Sequence, residues 1–291
     1  MPKRLQRDVL INYLNAEKEL PDLRFITPDF GAAPLDDFRK IHKDKFIFTG
    51  IAEQLSVDLA YGIAVAGSRP IVYGMSPFLS ARCYEQYKVL FGQSDQPICI
   101  LPVGVGLGYD HNTCSHYSLD DISLYSGVNG LKIVTPVDCK RSLSYFKDWL
   151  ENPCKLVIRL ERQALEEDLS YEHKLKELPG LGLLLERSSN NLVVTWGKLG
   201  SHIIENNLFQ NASILLVEEV CTNSSEVLHS YNHVHVTEES YLGTGLFPWI
   251  ASSVATDRTV LTSSHVDHRI GDVRAHRDTL WKEFGLLDNP F

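Results

Sequence analysis

The feature that most constrains the fold is a regular alternation of short β-rich runs with stretches of helical length. Helices are predicted at 3–20, 33–43, 53–66 and 79–90, and strands at 25–27, 46–48, 70–73 and 97–103. Further strands are predicted at 155–160, 192–196, 213–217, 234–237 and 260–262. Strands that alternate with helices of this length indicate βαβ units and mainly parallel sheets.

A break in this pattern divides the chain. Residues 164–189 mix acidic and basic side chains with the turn sequence Pro179-Gly-Leu-Gly182, which is typical of a linker. A chain of 291 residues also favours two domains. We therefore predict two three-layer α/β domains with mainly parallel sheets, at 1–170 and 186–291, joined by a linker at about 171–185.

Composition excludes several classes of function. A formal net charge of -9 and a pI near 5.6 argue against binding to nucleic acid or to an anionic membrane surface. No apolar stretch approaches the roughly 18 residues of a membrane helix, and no apolar h-region follows Met1, so we expect a cytoplasmic protein. The cysteines are scattered without metal-site spacing, which indicates free thiols in the cytoplasm; they are Cys83, Cys99, Cys114, Cys139, Cys154 and Cys221.

Glu53 is the strongest single candidate for a functional residue. It follows the β-rich run and turn Phe46-Ile-Phe-Thr-Gly-Ile-Ala52 and opens a predicted helix. A carboxylate there can be partly buried at a sheet edge, where it could exchange a proton with a cofactor nitrogen. The alternative is a solvated glutamate that stabilises the helix dipole.

Several groups of residues resemble, in order, the motifs of one enzyme family. They are Phe48-Thr-Gly-Ile-Ala-Glu53, Tyr73-Gly-Met-Ser-Pro-Phe78 with Tyr84, the glycine-rich stretch 97–108 with Thr113-Cys-Ser-His116, Leu160-Glu-Arg162-Gln163, Val236-Thr-Glu-Glu239, Gly243-Thr-Gly245 and Asp267-His-Arg-Ile-Gly271. The family is that of the thiamine-diphosphate-dependent transketolases. The chain resembles their C-terminal half, a pyrimidine-binding domain followed by the transketolase C-terminal domain.

The resemblance implies thiamine diphosphate as cofactor and gives roles to four residues. Glu53 would share a proton with N1′ of the pyrimidine ring, so that the 4′-amino group can take the proton from the thiazolium C2. Phe78 and Tyr84 would form the wall of the pyrimidine site, although core packing is their alternative role. Asp29 is a further candidate for cofactor binding. Ala81 stands where another aromatic residue is common in the family.

The resemblance also implies three substrate-binding residues. His116 would contact a hydroxyl or carbonyl oxygen near the reacting carbon, with assistance from His111. Arg162 would bind a substrate phosphate through its planar guanidinium. The alternatives are solvated loop histidines and a surface ion pair. Gly104 and Asn112 replace a histidine and an aspartate that transketolases use for substrate, so the sugar remains open.

The family holds the cofactor diphosphate through a metal bound at Gly-Asp-Gly and a later Asn. The one Gly-Asp pair in this sequence is Gly271-Asp272, which is followed by valine. The expectation is therefore that this chain supplies no metal ligand, and that Mg²⁺ and the diphosphate are held by an N-terminal transketolase subunit. An α2β2 assembly would be natural for such an enzyme.

The function expected from the sequence is that of one chain of a transferase that moves a two-carbon ketol unit between sugars or sugar phosphates. Three alternatives remain open at this stage: the β subunit of a 2-oxo acid dehydrogenase, a 1-deoxyxylulose-phosphate-synthase-like enzyme, and a non-catalytic scaffold. The presence of Glu53, Phe78 and His116 together favours an enzyme.

Overall fold

The computed structural model describes residues 3–29, 31–220, 225–254, 259–271 and 273–291; Cys221 and Asp272 are outside these ranges. The first half of the chain forms a six-stranded, all-parallel sheet. Its strands are β1 (Leu23–Thr27), β2 (Phe46–Phe48), β3 (Arg69–Met75), β4 (Ile98–Val103), β5 (Lys132–Val134) and β6 (Lys155–Ile158). They lie in the order β2-β1-β3-β4-β6-β5.

Helices cover both faces of this first sheet. They are α1 (Gln6–Ala16), α2 (Ala33–Ile41), α3 (Glu53–Val65), α4 (Ser76–Ser80), α5 (Tyr84–Val89), α6 (Asp121–Ser126) and α7 (Cys139–Glu151), with 3-10 turns at Lys43–Lys45 and Phe91–Gln93. One apolar core joins the sheet to α1, α2 and α7, and another joins it to α3, α4, α5 and α6. Every residue of β4 and β6 is buried, as expected for central parallel strands covered on both sides.

The second half of the chain forms another six-stranded sheet. Its strands are β7 (Lys176–Leu178), β8 (Gly182–Leu185), β9 (Asn191–Thr195), β10 (Ser213–Val217), β11 (His233–Tyr241) and β12 (Val260–Val266), in the order β12-β11-β9-β10-β8-β7. The helices are α8 (Leu169–His173), α9 (Gly197–Glu205), α10 (Ser225–Leu228), α11 (Phe247–Ser253) and α12 (Arg277–Glu283), with a 3-10 turn at His268–Ile270. The pairs β7–β8 and β8–β10 are antiparallel, and the other pairs are parallel. The predicted fold class is confirmed.

Two details differ from the expectations. The stretch 171–185, predicted as a linker, contains β7 and β8 of the second sheet; β7 is an edge strand with exposed charges, so its sequence resembles a loop. The domain limits at 170 and 186 stay predictions. The single helix predicted at 79–90 is two helices, α4 and α5, with a turn at 81–83. That turn directs Arg82 towards Glu53.

A buried ion network joins the two halves of the molecule. Arg277, which begins α12, donates from Nη1 to Glu161 at 2.8 Å and from Nε to Glu239 at 2.6 Å. Burial lowers the pKa of Arg277, but the two carboxylates more than offset this and hold it above its usual value. Glu161 follows β6 and Glu239 lies in β11, so one guanidinium connects both sheets.

Among the described helices, none combines the length and apolar character needed to cross a membrane.

Candidate active site at the carboxyl edge of the first sheet

Five of the predicted site residues follow the carboxyl ends of neighbouring parallel strands. Asp29 follows β1, Glu53 follows β2, Phe78 follows β3, His116 lies in the loop after β4, and Arg162 follows β6. In open parallel sheets this edge is where ligands bind, because the loops there converge. The strand order β2-β1-β3-β4-β6 therefore arranges the five residues along one edge.

Glu53 is held at the start of α3 with a defined partner. It is 7% exposed, and its Oε1 accepts a hydrogen bond from Nη1 of Arg82 at 3.0 Å. The Arg82 guanidinium also lies over the ring of Phe78, 3.9 Å from its centroid. A flat group that carries N–H donors thus occupies the space between a buried carboxylate and an aromatic face.

Aromatic contacts continue from Phe78 across the loop after β4. The centroid of the His116 ring lies 5.2 Å from that of Phe78, in an edge-on arrangement. It lies 5.9 Å from the centroid of the Tyr109 ring. The Arg162 guanidinium lies over the ring of Tyr109, 4.7 Å from its centroid. Nδ1 of His116 is 2.9 Å from the hydroxyl oxygen of Ser115. Two of the predicted residues, His116 and Arg162, are therefore connected through Tyr109.

The glycines of this loop are required by close packing. Gly104 has φ +82°, and a Cβ built on it would collide with the ring of Tyr109. Gly106 has φ +60°, and a Cβ there would collide with the carboxylate of Glu239. Left-handed backbone and lack of space both favour glycine. A side chain at Gly104, as transketolases commonly have there, would exclude Tyr109 from its present place.

A cavity of about 440 Å³ opens beside these residues. Two guanidinium groups, Arg7 and Arg162, line it together with Asp29, Tyr73 and Tyr109. Burial raises the pKa of Tyr73 to about 12, so this phenol is neutral at physiological pH. The cavity can bind an anionic, hydroxyl-rich molecule, since two guanidinium groups and two tyrosines line it.

Two predicted residues have other neighbours. The hydroxyl of Tyr84 packs against Gly127 at the end of α6. A Cβ built on Gly127 would lie 2.7 Å from the oxygen of that hydroxyl. The exposed ring of His111 lies 4.7 Å from that of His276 in the second domain. The cofactor contact of Tyr84 and the substrate contact of His111 stay predictions.

Several residues of the site were not predicted from the sequence. Arg82 was placed inside one continuous predicted helix, which hid the turn that exposes its side chain. Arg7 belongs to a short basic cluster at the N-terminus that gave no indication of a pocket. Tyr73 was assigned only to a motif, and Tyr109 carried no signal beyond its place after Gly108.

The first half of the chain is similar to known proteins. Residues 9–167 match the family described as transketolase, pyrimidine binding domain. One of the subunits of the apulose-4-phosphate transketolase of Phocaeicola vulgatus is 32% identical over 161 residues, which are 55% of this chain and 51% of that protein. The corresponding chain from Actinobacillus succinogenes is 25% identical over 197 residues, 66% of this chain and 62% of that protein.

Solved structures extend the likeness to both domains. A chain described as a split gene transketolase, inactive beta4 tetramer, superposes with a TM-score of 0.79 at 19% identity. The superposition covers 97% of this chain and 94% of that one. At this identity the likeness concerns the fold. The two curated relatives are matched over only 51% and 62% of their own length.

Proposed function

Because the chain belongs to the transketolase pyrimidine-binding domain family, we propose that it is the C-terminal, β-type subunit of a split thiamine-diphosphate-dependent transketolase. The activity is transfer of a two-carbon ketol unit between sugars or sugar phosphates. One observation carries this proposal. The Arg82 guanidinium, flat and rich in N–H donors, lies between the Glu53 carboxylate and the Phe78 ring.

That arrangement fits the aminopyrimidine end of thiamine diphosphate. An aminopyrimidine is also flat, needs an aromatic face, and offers nitrogen atoms to a carboxyl group. Glu53 and Phe78 would hold the ring, with Asp29 and Tyr84 as further cofactor contacts, and Arg82 would move aside. When bound, thiamine diphosphate supplies a carbon nucleophile at its thiazolium C2.

The residues of this chain then have separate tasks. Glu53 holds the proton shared with N1′, and its burial keeps water from competing for the carboxyl group. His116 donates to or accepts from an oxygen near the reacting carbon, supported by His111. Arg162 binds a substrate phosphate from the wall of the 440 Å³ cavity.

A partner chain completes the proposed enzyme. The two curated relatives are named as single subunits of a transketolase, and a solved neighbour is described as a split-gene tetramer. Apolar side chains surround Glu53 in the sequence and remain exposed: Phe48 at 45%, Ile51 at 86% and Leu55 at 53%. Such a surface suits burial against a second protein. The partner would be an N-terminal transketolase subunit that holds Mg²⁺ and the diphosphate, in a cytoplasmic α2β2 complex.

The other functions considered from the sequence are less well supported. The two relatives and the structural neighbour are transketolases by name. These comparisons do not favour a 2-oxo acid dehydrogenase β subunit, a deoxyxylulose-phosphate-synthase-like enzyme or a scaffold. The burial of Glu53 and the contact between Phe78 and His116 also argue against a scaffold, which would have no use for a proton-exchanging carboxyl group there.

Calorimetric titration of cofactor and Mg²⁺ tests the split-subunit proposal. The chain alone is expected to bind thiamine diphosphate weakly or not at all. With the diphosphate-binding subunit present, binding should become tight and magnesium-dependent, and the unfolding temperature should rise through linkage. Tight, magnesium-dependent binding by the lone chain would overturn the proposal.

The same titrations can locate the interface. Ile51→Asp is expected to weaken association with the partner, because it places a charge among the apolar residues around Glu53. Val260→Asp on the edge strand β12 is the matched control, since Val260 is 53% exposed in the other domain. Equal effects of the two substitutions would place the interface elsewhere.

Arg162→Ala tests the phosphate role. We expect KM for phosphorylated sugars to rise by about 10- to 100-fold, the value of a lost charge-assisted contact. KM for unphosphorylated sugars should change little. The Arg162→Lys variant should have a KM for phosphorylated sugars between those of the wild type and Arg162→Ala, because lysine keeps the charge but not the planar donor fork. Steady-state kinetics with matched sugar pairs measures this; equal changes for both kinds of sugar would contradict the assignment.

A further inference from the structure

Asp110, His111 and His276 form a group of potential metal ligands between the two domains. One ligand atom from each side chain lies within 4.8 Å of the other two. The first two residues belong to the loop after β4, and the third directly precedes α12. The histidine rings are 4.7 Å apart, and Nε2 of His111 is 3.7 Å from Oδ1 of Asp110.

The carboxylate of this group is fixed in position by the protein. Asp110 is only 6% exposed, and its Oδ2 accepts a hydrogen bond from the backbone N–H of Arg277 at 3.0 Å. The other oxygen, Oδ1, is directed to His111. A ligand whose second oxygen is held by a backbone donor is oriented before a metal arrives, as in established metal sites.

The two backbone segments are also held together independently of any ion. The single O–H of Tyr117 is shared between two carbonyl oxygens, that of Val273 at 2.8 Å and that of Asp110 at 3.0 Å. The backbone N–H of Cys114 donates to the carbonyl of Gly271 at 3.2 Å. The loop and the segment before α12 therefore meet in a fixed geometry, and the imidazoles of His111 and His276 are exposed there.

We propose that Asp110, His111 and His276 bind a divalent cation of the Zn²⁺ class that connects the two domains. Two imidazoles and one carboxylate are ligands that Zn²⁺, Co²⁺ and Ni²⁺ prefer, whereas Mg²⁺ prefers oxygen. Zinc ligands lie about 2.0–2.2 Å from the metal and so about 3.4 Å from one another. The three ligand atoms now lie within 4.8 Å of one another, so a modest rotation of the two exposed imidazoles would bring them to that spacing.

The proposed cation differs from the Mg²⁺ assigned to the partner chain. Its ligands all belong to this chain, and it would be present without thiamine diphosphate. It also assigns His111 to the metal, and in that case His116 acts on the substrate without the assistance of His111 proposed above. Because the cation would join the loop after β4 to α12, its binding should stabilise the folded chain.

Titration of the isolated chain with Zn²⁺ and Co²⁺ tests the proposal. We expect one saturable site, a visible Co²⁺ spectrum without thiolate bands, and a higher unfolding temperature with Zn²⁺. His276→Ala and His111→Ala should each weaken Zn²⁺ binding by at least the roughly 10- to 100-fold that loss of a supporting residue costs. His276→Asp should retain part of the affinity, because it replaces one ligand with another.

Two controls decide between this site and non-specific binding. His229→Ala removes an exposed histidine after α10 and should leave the affinity unchanged. Cys114→Ser removes the exposed thiol of the same loop and should also leave it unchanged. The proposal is overturned by absence of saturable binding, by wild-type affinity in the His276→Ala and His111→Ala variants, or by loss of binding in Cys114→Ser.

Discussion

Glu53→Gln is expected to lower the turnover of the assembled enzyme by about 100- to 10,000-fold, the usual contribution of one acid–base group. Glutamine keeps the size of the side chain, and its amide oxygen can still accept the hydrogen bond from Arg82. It cannot, however, share a proton with a pyrimidine nitrogen. Steady-state turnover in the presence of the partner chain, cofactor and Mg²⁺ measures the effect.

Three further measurements separate a chemical role of Glu53 from a structural one. The unfolding temperature of the lone Glu53→Gln chain should be close to that of the wild type. Glu85→Gln, which changes an exposed glutamate in the first turn of α5, should leave turnover unchanged. Hydrogen–deuterium exchange at cofactor C2 should slow with Glu53→Gln; near-normal exchange would remove Glu53 from the mechanism.

Arg277→Met is expected to destabilise the folded chain by about 3–5 kcal/mol, the cost of removing one partner from a buried ion network. Methionine fills much of the same space, but the carboxylates of Glu161 and Glu239 would remain buried without their shared cation. The backbone N–H of residue 277 would still hold Asp110. Urea denaturation followed by circular dichroism measures the free energy of unfolding.

The matched control is Arg269→Met, because Arg269 is exposed and pairs with Asp267 at the surface. Its removal should leave the free energy of unfolding nearly unchanged, since exposed ion pairs contribute little. Adding Glu161→Gln to Arg277→Met should recover part of the lost stability by removing one uncompensated charge. An Arg277→Met chain as stable as wild type would show that the network does not hold the domains together.

Local patterns in the sequence were enough to predict the fold class. The spacing of apolar residues that distinguishes strands from helices is a property of short segments, so β1, β3, β4 and β10 were recognisable without tertiary information. The edge strand β7 was missed because its Lys-Glu-Leu sequence is largely exposed. An edge strand is stabilised by pairing with its neighbour, and its own sequence carries little of that signal.

The candidate site, like the fold, could be predicted from the sequence only in part. Glu53 and Phe78 could be identified because each lies within a contiguous motif that follows a strand, and the carboxyl ends of parallel strands meet at one edge. The sequence could also suggest His116 and Arg162 from their motifs. It offered no means to find their shared contact with Tyr109, which depends on how the loop after β4 folds over Gly104.

The α/β architecture and the carboxylate at the start of α3 could be read from residues that are adjacent in the chain. The contacts between side chains distant in the sequence became visible in the folded chain. Arg82 reaches Glu53 across 29 residues, and the amide of Arg277 reaches Asp110 across 167. The physical reason is that such contacts depend on the packing of whole helices against the sheets, which no local pattern of residues specifies.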